Sequence, residues 1–356
     1  MPKKHNKIGV GNNQKKITMK KTIMFMAILA LIITSCKKER VCEQTSTSNQ
    51  SDIRLITLNS SGKTSYTMLE FPSIDYFENT VVTLKDKMSS HWDAFVKEYS
   101  YLDEEALNEM EKKIGFVDQQ PLLDFENEFN FTNSMRQVFV VEEQKWLNND
   151  ELDSLTNPSK IYVFDIEEMT LLNKDGEVKI GESILKMTKD GFLWIKDGDL
   201  SILDRFNKGD LSVFKEPNVV TNLDEVTGKG DCSSWKGRDY THAYASNRKV
   251  ILHVHFHSWP WKGAGQSEIT SYKKSGSSWN KYSMSLSVRC DSKFRDKDCM
   301  FWTAGGTTGW KTKTAKSIEQ TFNSWGSFPA YRAENGNSII GGFEYNGYSN
   351  GLSLIW

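Results

Sequence analysis

Near Pro158 the apolar residues change their spacing from every third or fourth position to every second, so a helical layer must come first and pleated strands after it. Upstream, Ile74, Phe77, Val81, Leu84 and Met88 recur at helical spacing behind Ser73, whose hydroxyl suits a helix start. Trp92, Phe95, Val96 and Tyr99 mark a second helix, 103–113 a third stopped by Gly115, and 132–147 a fourth with Met135, Phe139 and Trp146 on its buried side. Ahead of them DIRLITLN and TSYTMLEF read as a hairpin. Beyond Pro158 the runs IYVFDI, EMTLL, EVKIG, SILKMT and FLWIKDG alternate, with Asp-Gly at 175/176, 190/191 and 197/198 as hairpin turns. A helical layer on a small antiparallel sheet, an α+β domain over 53–205, satisfies both periods. The polar stretch 206–231 reads as a linker, with Pro217-Asn218 and Gly228-Lys229-Gly230 as breakers.

The remainder, 232–356, holds eight of the eleven tryptophans and thirteen of the twenty-four glycines, with short alternating runs between Gly, Ser and Asn turns. That pattern predicts an all-β sandwich or barrel-like domain. The net charge of -1 over 356 residues hides an asymmetry: 37–231 carries 38 acidic and 22 basic residues, whereas 232–356 carries sixteen basic and eight acidic. A basic, aromatic half invites an anionic or glycan ligand, and it equally suits docking on the acidic half. With 38% hydrophobic and 26% charged residues, the composition excludes a disordered tail protein and a multi-span membrane protein.

Met19 opens a tripartite segment: Lys20 and Lys21, eleven apolar residues from 23 to 33, then Thr34, Ser35 and Cys36. Eleven apolar residues are too few to span a bilayer as a helix, which takes roughly twenty, so 19–35 reads as a cleaved signal peptide. The end Ile33-Thr34-Ser35-Cys36 resembles the lipobox of bacterial lipoproteins. That resemblance implies lipidation of Cys36, a membrane partner through the anchor, and an outer-membrane address on the periplasmic or surface face. Residues 1–18 are a polar run that does not suit a signal start, which places translation at Met19 and makes 1–18 an extension. The stretch 36–52 then supplies the lipidated cysteine and a tether. The meander KDGEVKIGESILKMTKDGFLWIKD, following the hairpin and helices, resembles an uncharacterised family of Bacteroides-type lipoproteins; the resemblance covers roughly 50–205 and implies no activity.

In an exported chain four cysteines besides Cys36 permit bridges, and Cys290 with Cys299 flank a polar loop that a disulfide would close. His253, His255 and His257 alternate along one strand and so stand on one face, with His242 just upstream as a fourth imidazole; they form a candidate zinc set. Trp259, Trp261 and Trp310 fall near turns beside Lys262, and exposed aromatic rings there would stack on sugar rings. Glu268, Glu319, Glu334 and Glu344 are available carboxylates, though nothing in the sequence brings two of them together. Gly347-Tyr348-Ser349-Asn350-Gly351 has the spacing of a nucleophile elbow, but only five residues follow it, too few for an acid and a histidine.

These features favour a lipid-anchored envelope protein whose β domain is a non-catalytic module for polysaccharide or another envelope component, without cofactor and without nucleic acid. A metal-dependent hydrolase built on the histidine row is the first alternative, and a structural or protein-interaction scaffold the second.

Overall fold

The computed structural model describes residues 52–354 apart from 62–63, 150–151, 153–155, 163, 224–235, 296–301, 326–331, 334–338 and 346–347. Cys36, its signal segment, Cys299 and Glu334 therefore lie outside the described residues.

Strands β1 (Arg54–Asn59) and β2 (Ser65–Phe71) form the expected hairpin. Helix α1 (Ile74–Glu98) starts where Ser73 Oγ accepts a hydrogen bond from Tyr76 N at 3.2 Å. It runs unbroken through Trp92 and Phe95, so the first two expected helices are one; no Gly or Pro interrupts 74–98. Asp103 caps α2 (Glu104–Ile114), and Gly115 ends it in the left-handed conformation at φ 65°. Next come α3 (Gln120–Glu128) and α4 (Met135–Leu147), the latter burying Met135, Phe139 and Trp146 as its spacing predicts.

The run EMTLL is not a strand. It forms the short helix α5 (Ile166–Leu171), begun by a capping box in which Asp165 and Glu168 satisfy each other's backbone N–H. The chain then lays down β3 (Glu177–Ile180), β4 (Ser183–Thr188) and β5 (Gly191–Ile195), followed by α6 (Leu200–Asn207) and β6 (Val219–Thr221). These strands join the hairpin in one sheet of order β1-β2-β3-β4-β5-β6. The sheet is mixed rather than antiparallel, because the whole helical layer separates β2 from β3 and returns the chain parallel to β2. Part of the expected linker is structured, since the end of α6 and β6 both lie within 206–231.

Gly176 sits in the turn before β3 at φ 81°, and a Cβ there would lie 2.2 Å from the Met187 carbonyl oxygen. Gly176→Ala should cost about 2 kcal/mol, on the scale of a strained non-glycine residue. Chemical denaturation reads this directly, and an unchanged midpoint would contradict the turn geometry.

The later strands are β7 (Lys236–Ala245), β8 (Arg248–Ser258), β9 (Lys262–Ser275), β10 (Ser278–Lys281), β11 (Met284–Arg295), β12 (Trp302–Thr307), β13 (Lys311–Ala315), β14 (Ser317–Trp325), β15 (Arg332–Ala333), β16 (Ile339–Tyr345) and β17 (Tyr348–Leu354). They make two antiparallel sheets: β7, β8 and β9 with β10 and β14 on the far side of β9, and β12, β16, β13 and β15 on β11 with β17 beyond β16. Neither closes into a barrel among the described residues.

Strand β8 is buried on both faces. Val250, Leu252, Val254 and Phe256 pack with Leu286, Val288 and Cys290 of the second sheet, while Ile251 on the other face joins Trp146 and Leu147 of α4. The cores cross between the two halves of the chain: Trp92 and Phe95 of α1 join the β core, and Trp259 and Trp261 join the core built on α1 and the first sheet. The described residues accordingly form one compact unit rather than two independent cores.

Candidate functional site

The face of β8 that looks toward the helices is polar, and antiparallel register extends it sideways. Asp239, His253, Glu268 and Glu319 stand directly opposite one another across β7, β8, β9 and β14, and His255, Gln266 and Thr321 form the next row. Residues paired in this way point their side chains to the same face of a sheet. Over this face lie Lys85 from α1 and Asp165 and Glu167 at the start of α5. Together they line a cavity of about 300 Å³ walled by Trp92, Tyr162 and Phe164 among others.

Some of these groups satisfy each other. His253 Nδ1 hydrogen-bonds Asp239, which also accepts from Asn157 Nδ2 at 3.0 Å. Lys85 pairs with Asp165 and donates to Glu319 Oε1 at 3.0 Å; Gln266 donates to Glu319, and Ser317 to Glu268. Others have nothing. Asp165 Oδ1, Glu167 Oε2, Gln266 Oε1, His253 Nε2 and both ring nitrogens of His255 are buried without a hydrogen-bond partner. Each such group costs about 1–3 kcal/mol, so a cluster of them in one cavity marks a place where stability yields to another requirement.

Electrostatics sharpen the picture. Burial and then the Glu319 charge push the Glu167 carboxyl up to about 8, while burial and then Asp165 push Glu319 up to about 7. Burial, with His253 and His257 as neighbours, holds His255 well below the usual imidazole range. It is a neutral ring with one donor and one acceptor to offer.

The sequence candidates divide. His253, His255 and His257 do form a row, with ring centroids 5.0 and 5.5 Å apart, but the row is buried rather than solvated. His242 does not join them: it pairs with Val250, which places it on the opposite face. Among the described residues no group of three or more His, Cys, Asp and Glu side chains is disposed to hold a metal ion, so the expected metal set is not formed. Trp259 is 0% exposed and Trp261 sits with it against Phe77, which overturns their expected exposure. Lys262 is likewise interior, donating at 2.8 Å to both Glu78 and Glu168. Trp310 alone of the three rings is open, at 50% exposure, with Arg289 over its face. Among the described residues Cys290 is a free, buried thiol donating to the Gly265 carbonyl at 3.3 Å; Cys299, its expected bridge partner, lies outside the described residues. Glu268 and Glu319 are brought together by the β9–β14 register; the side chain of Glu344 lies outside the described residues, as does Glu334.

Sequence reasoning passed over Lys85, Asp165 and Glu167. The Asp165-x-x-Glu168 spacing is a capping-box signature and could have identified α5 and the acidic end that it turns into the cavity.

No family model matches the chain, and no curated protein matches it. Among solved structures, a DUF4848 family protein from Bacteroides thetaiotaomicron is 12% identical, with 85% of this chain and all of that chain covered and a TM-score of 0.19.

Proposed function

We propose that this chain is a lipid-anchored cell-envelope protein, held through Cys36, whose folded part binds a small hydroxyl-rich ligand of the sugar class inside the Glu268–Glu319 cavity. The observation that carries the reading is the set of buried, unpartnered polar atoms lining one space of about 300 Å³. That volume lies at the lower end of the range for small-molecule sites, roughly 300–1,000 Å³. Mixed donors and acceptors on the floor, with Trp92, Tyr162 and Phe164 on the walls, match a ring that carries hydroxyls on its rim and C–H groups on its faces. The glycan reading of the sequence thus moves from an exposed tryptophan surface to an interior polar one. The signal-like segment 19–35 and Cys36 support the anchor.

The test is calorimetric titration of the full-length chain, purified in mild detergent, with glucose, galactose, N-acetylglucosamine and maltose. At least one should bind with a Kd of about 1 mM or tighter, and His255→Leu should weaken it about tenfold. Binding that survives His255→Leu and disappears with Trp310→Ala would place the site on the surface instead.

A further inference from the structure

The unpartnered atoms of the cavity are not a balanced set. Asp165 Oδ1, Glu167 Oε2 and Gln266 Oε1, buried and lining the same space, are acceptor oxygens once the carboxyls ionise, and neutral His255 adds only one donor beside one acceptor, so acceptors outnumber donors. The charges lean the same way. Of the cavity-lining lysines, Lys281 is paired with Glu143 at 2.9 Å, Lys313 with Asp93 at 2.8 Å, and Lys316 with Glu111 and Asp118; Lys311 is exposed and donates to the Glu319 carbonyl. That leaves Asp165, Glu167, Glu268 and Glu319 facing Lys85. Carboxylates set directly opposite on neighbouring strands, as Glu268 and Glu319 are, repel unless a cation or proton lies between them.

From this juxtaposition, and resting on the cavity being the ligand site, we infer that the ligand presents a protonated primary amine to Asp165, Glu167 and Glu319. An ammonium offers three donors and one positive charge, which answers both the missing donors and the excess of acid. The aromatic walls add cation–π attraction in a desolvated setting. Amino sugars and short aliphatic polyamines share this chemistry and differ in what they attach to it.

Proton linkage follows from the groups that face the amine: Lys85 on α1, Asp165 and Glu167 at α5, His253 and His255 on β8, Glu268 on β9 and Glu319 on β14. In the empty cavity Glu167 and Glu319 take up protons near neutral pH, since burial and then the Glu319 charge push Glu167 up to about 8, and burial and then the Asp165 charge push Glu319 up to about 7. A cation among them favours the ionised forms, so binding releases protons and affinity rises with pH through this range.

The experiment compares two matched pairs on the full-length chain at pH 7: glucosamine against N-acetylglucosamine, and putrescine against 1,4-butanediol. In one pair the amine should bind at least about tenfold tighter than its neutral counterpart, with release of about one proton read from titrations in buffers of different ionisation enthalpy. The pair that shows it separates an amino sugar from a polyamine. In the double variant Glu167→Gln, Glu319→Gln the preference should fall to within about twofold and the proton release should vanish. Because Gln keeps the shape of Glu, circular dichroism and melting of that variant establish that it is folded. Neutral members binding as tightly as the amines would overturn the amine and leave the cavity reading standing. No binding of any of the four at ~10 mM would overturn the amine, and the cavity reading falls with it only if glucose, galactose and maltose also fail to bind.

Discussion

Replacing Lys262 with Met should lower the stability of the protein by about 3–5 kcal/mol, the range seen when one partner of a buried ion pair is removed. Lys262 is 3% exposed and its ammonium donates to Glu78 Oε2 and Glu168 Oε1, each at 2.8 Å. Glu78 also accepts from the Trp261 indole at 2.6 Å, and His257 Nε2 lies 3.3 Å from Glu168, so the lysine stands at the centre of a connected buried group joining α1, α5 and β9. Burial opposes ionisation of Glu168, yet Lys262 and then His257 hold its carboxyl well below the ordinary range. In the native chain this contribution is complete above the unfolded carboxyl value of about 4.5 and is lost as pH falls toward the folded one. Without the lysine the two carboxyls titrate upward and can neutralise by taking protons. The gap between variant and native protein should therefore narrow from pH 8 to pH 5. Urea denaturation at the two pH values tests this, and a gap under 1 kcal/mol, or one that widens in acid, would show that the lysine is not the keystone of this interface.

The second large effect has the opposite sign. His255→Leu should raise stability by about 1–3 kcal/mol while weakening ligand binding, because it removes two buried ring nitrogens that have no partner. Stability gained at the expense of binding is the mark of a residue kept for a ligand rather than for the fold. Since burial holds His255 below the usual imidazole range, the unfolded chain takes up a proton there that the folded chain refuses. That asymmetry removes stability from the native protein as pH falls below about 6.5 and is absent from the leucine variant. The advantage of the variant should thus be larger at pH 5.5 than at pH 8, as read by thermal melting. A destabilised variant would mean that the ring nitrogens are satisfied within the protein.

Most local structure was legible from residue chemistry. Ser73, Asp103 and Gly115 act at helix ends as their side chains dictate, and the Asp-Gly turns carry the positive φ values of Gly176, Gly191 and Gly198. The first of the errors comes from burial on both faces. In VHFH the alternation of apolar and polar residues implies a wet side, yet β8 is covered on that side by helices, and the histidines end inside. Trp259 and Trp261 follow a predicted turn but pack into a core supplied by residues nearly two hundred positions earlier, which no local pattern announces. In EMTLL, Met169 and Leu171 alternate by chance within a six-residue helix too short for its period to show. The site was half visible: His253, His255 and Glu319 stand out by type, whereas their convergence with Lys85 and Glu167 depends on the β9–β14 register and on the path of α1. Pairings so distant in sequence leave no trace in spacing.

The most direct test of the central claim is the ¹⁵N spectrum of the imidazole rings of the full-length chain, recorded with and without the tightest-binding sugar or amine of the titrations above. Of the six histidines, His255 and the Nε2 of His253 have unpartnered nitrogens on the cavity, whereas His242 faces the other side of the sheet and His91 meets the Val117 carbonyl on an exposed helix face. The account predicts that ligand moves the resonances of His255 and of His253 Nε2 and leaves His242 and His91 in place. Ligand binding that leaves His255 unmoved, or the absence of any ligand that moves it, would contradict the cavity as the functional site.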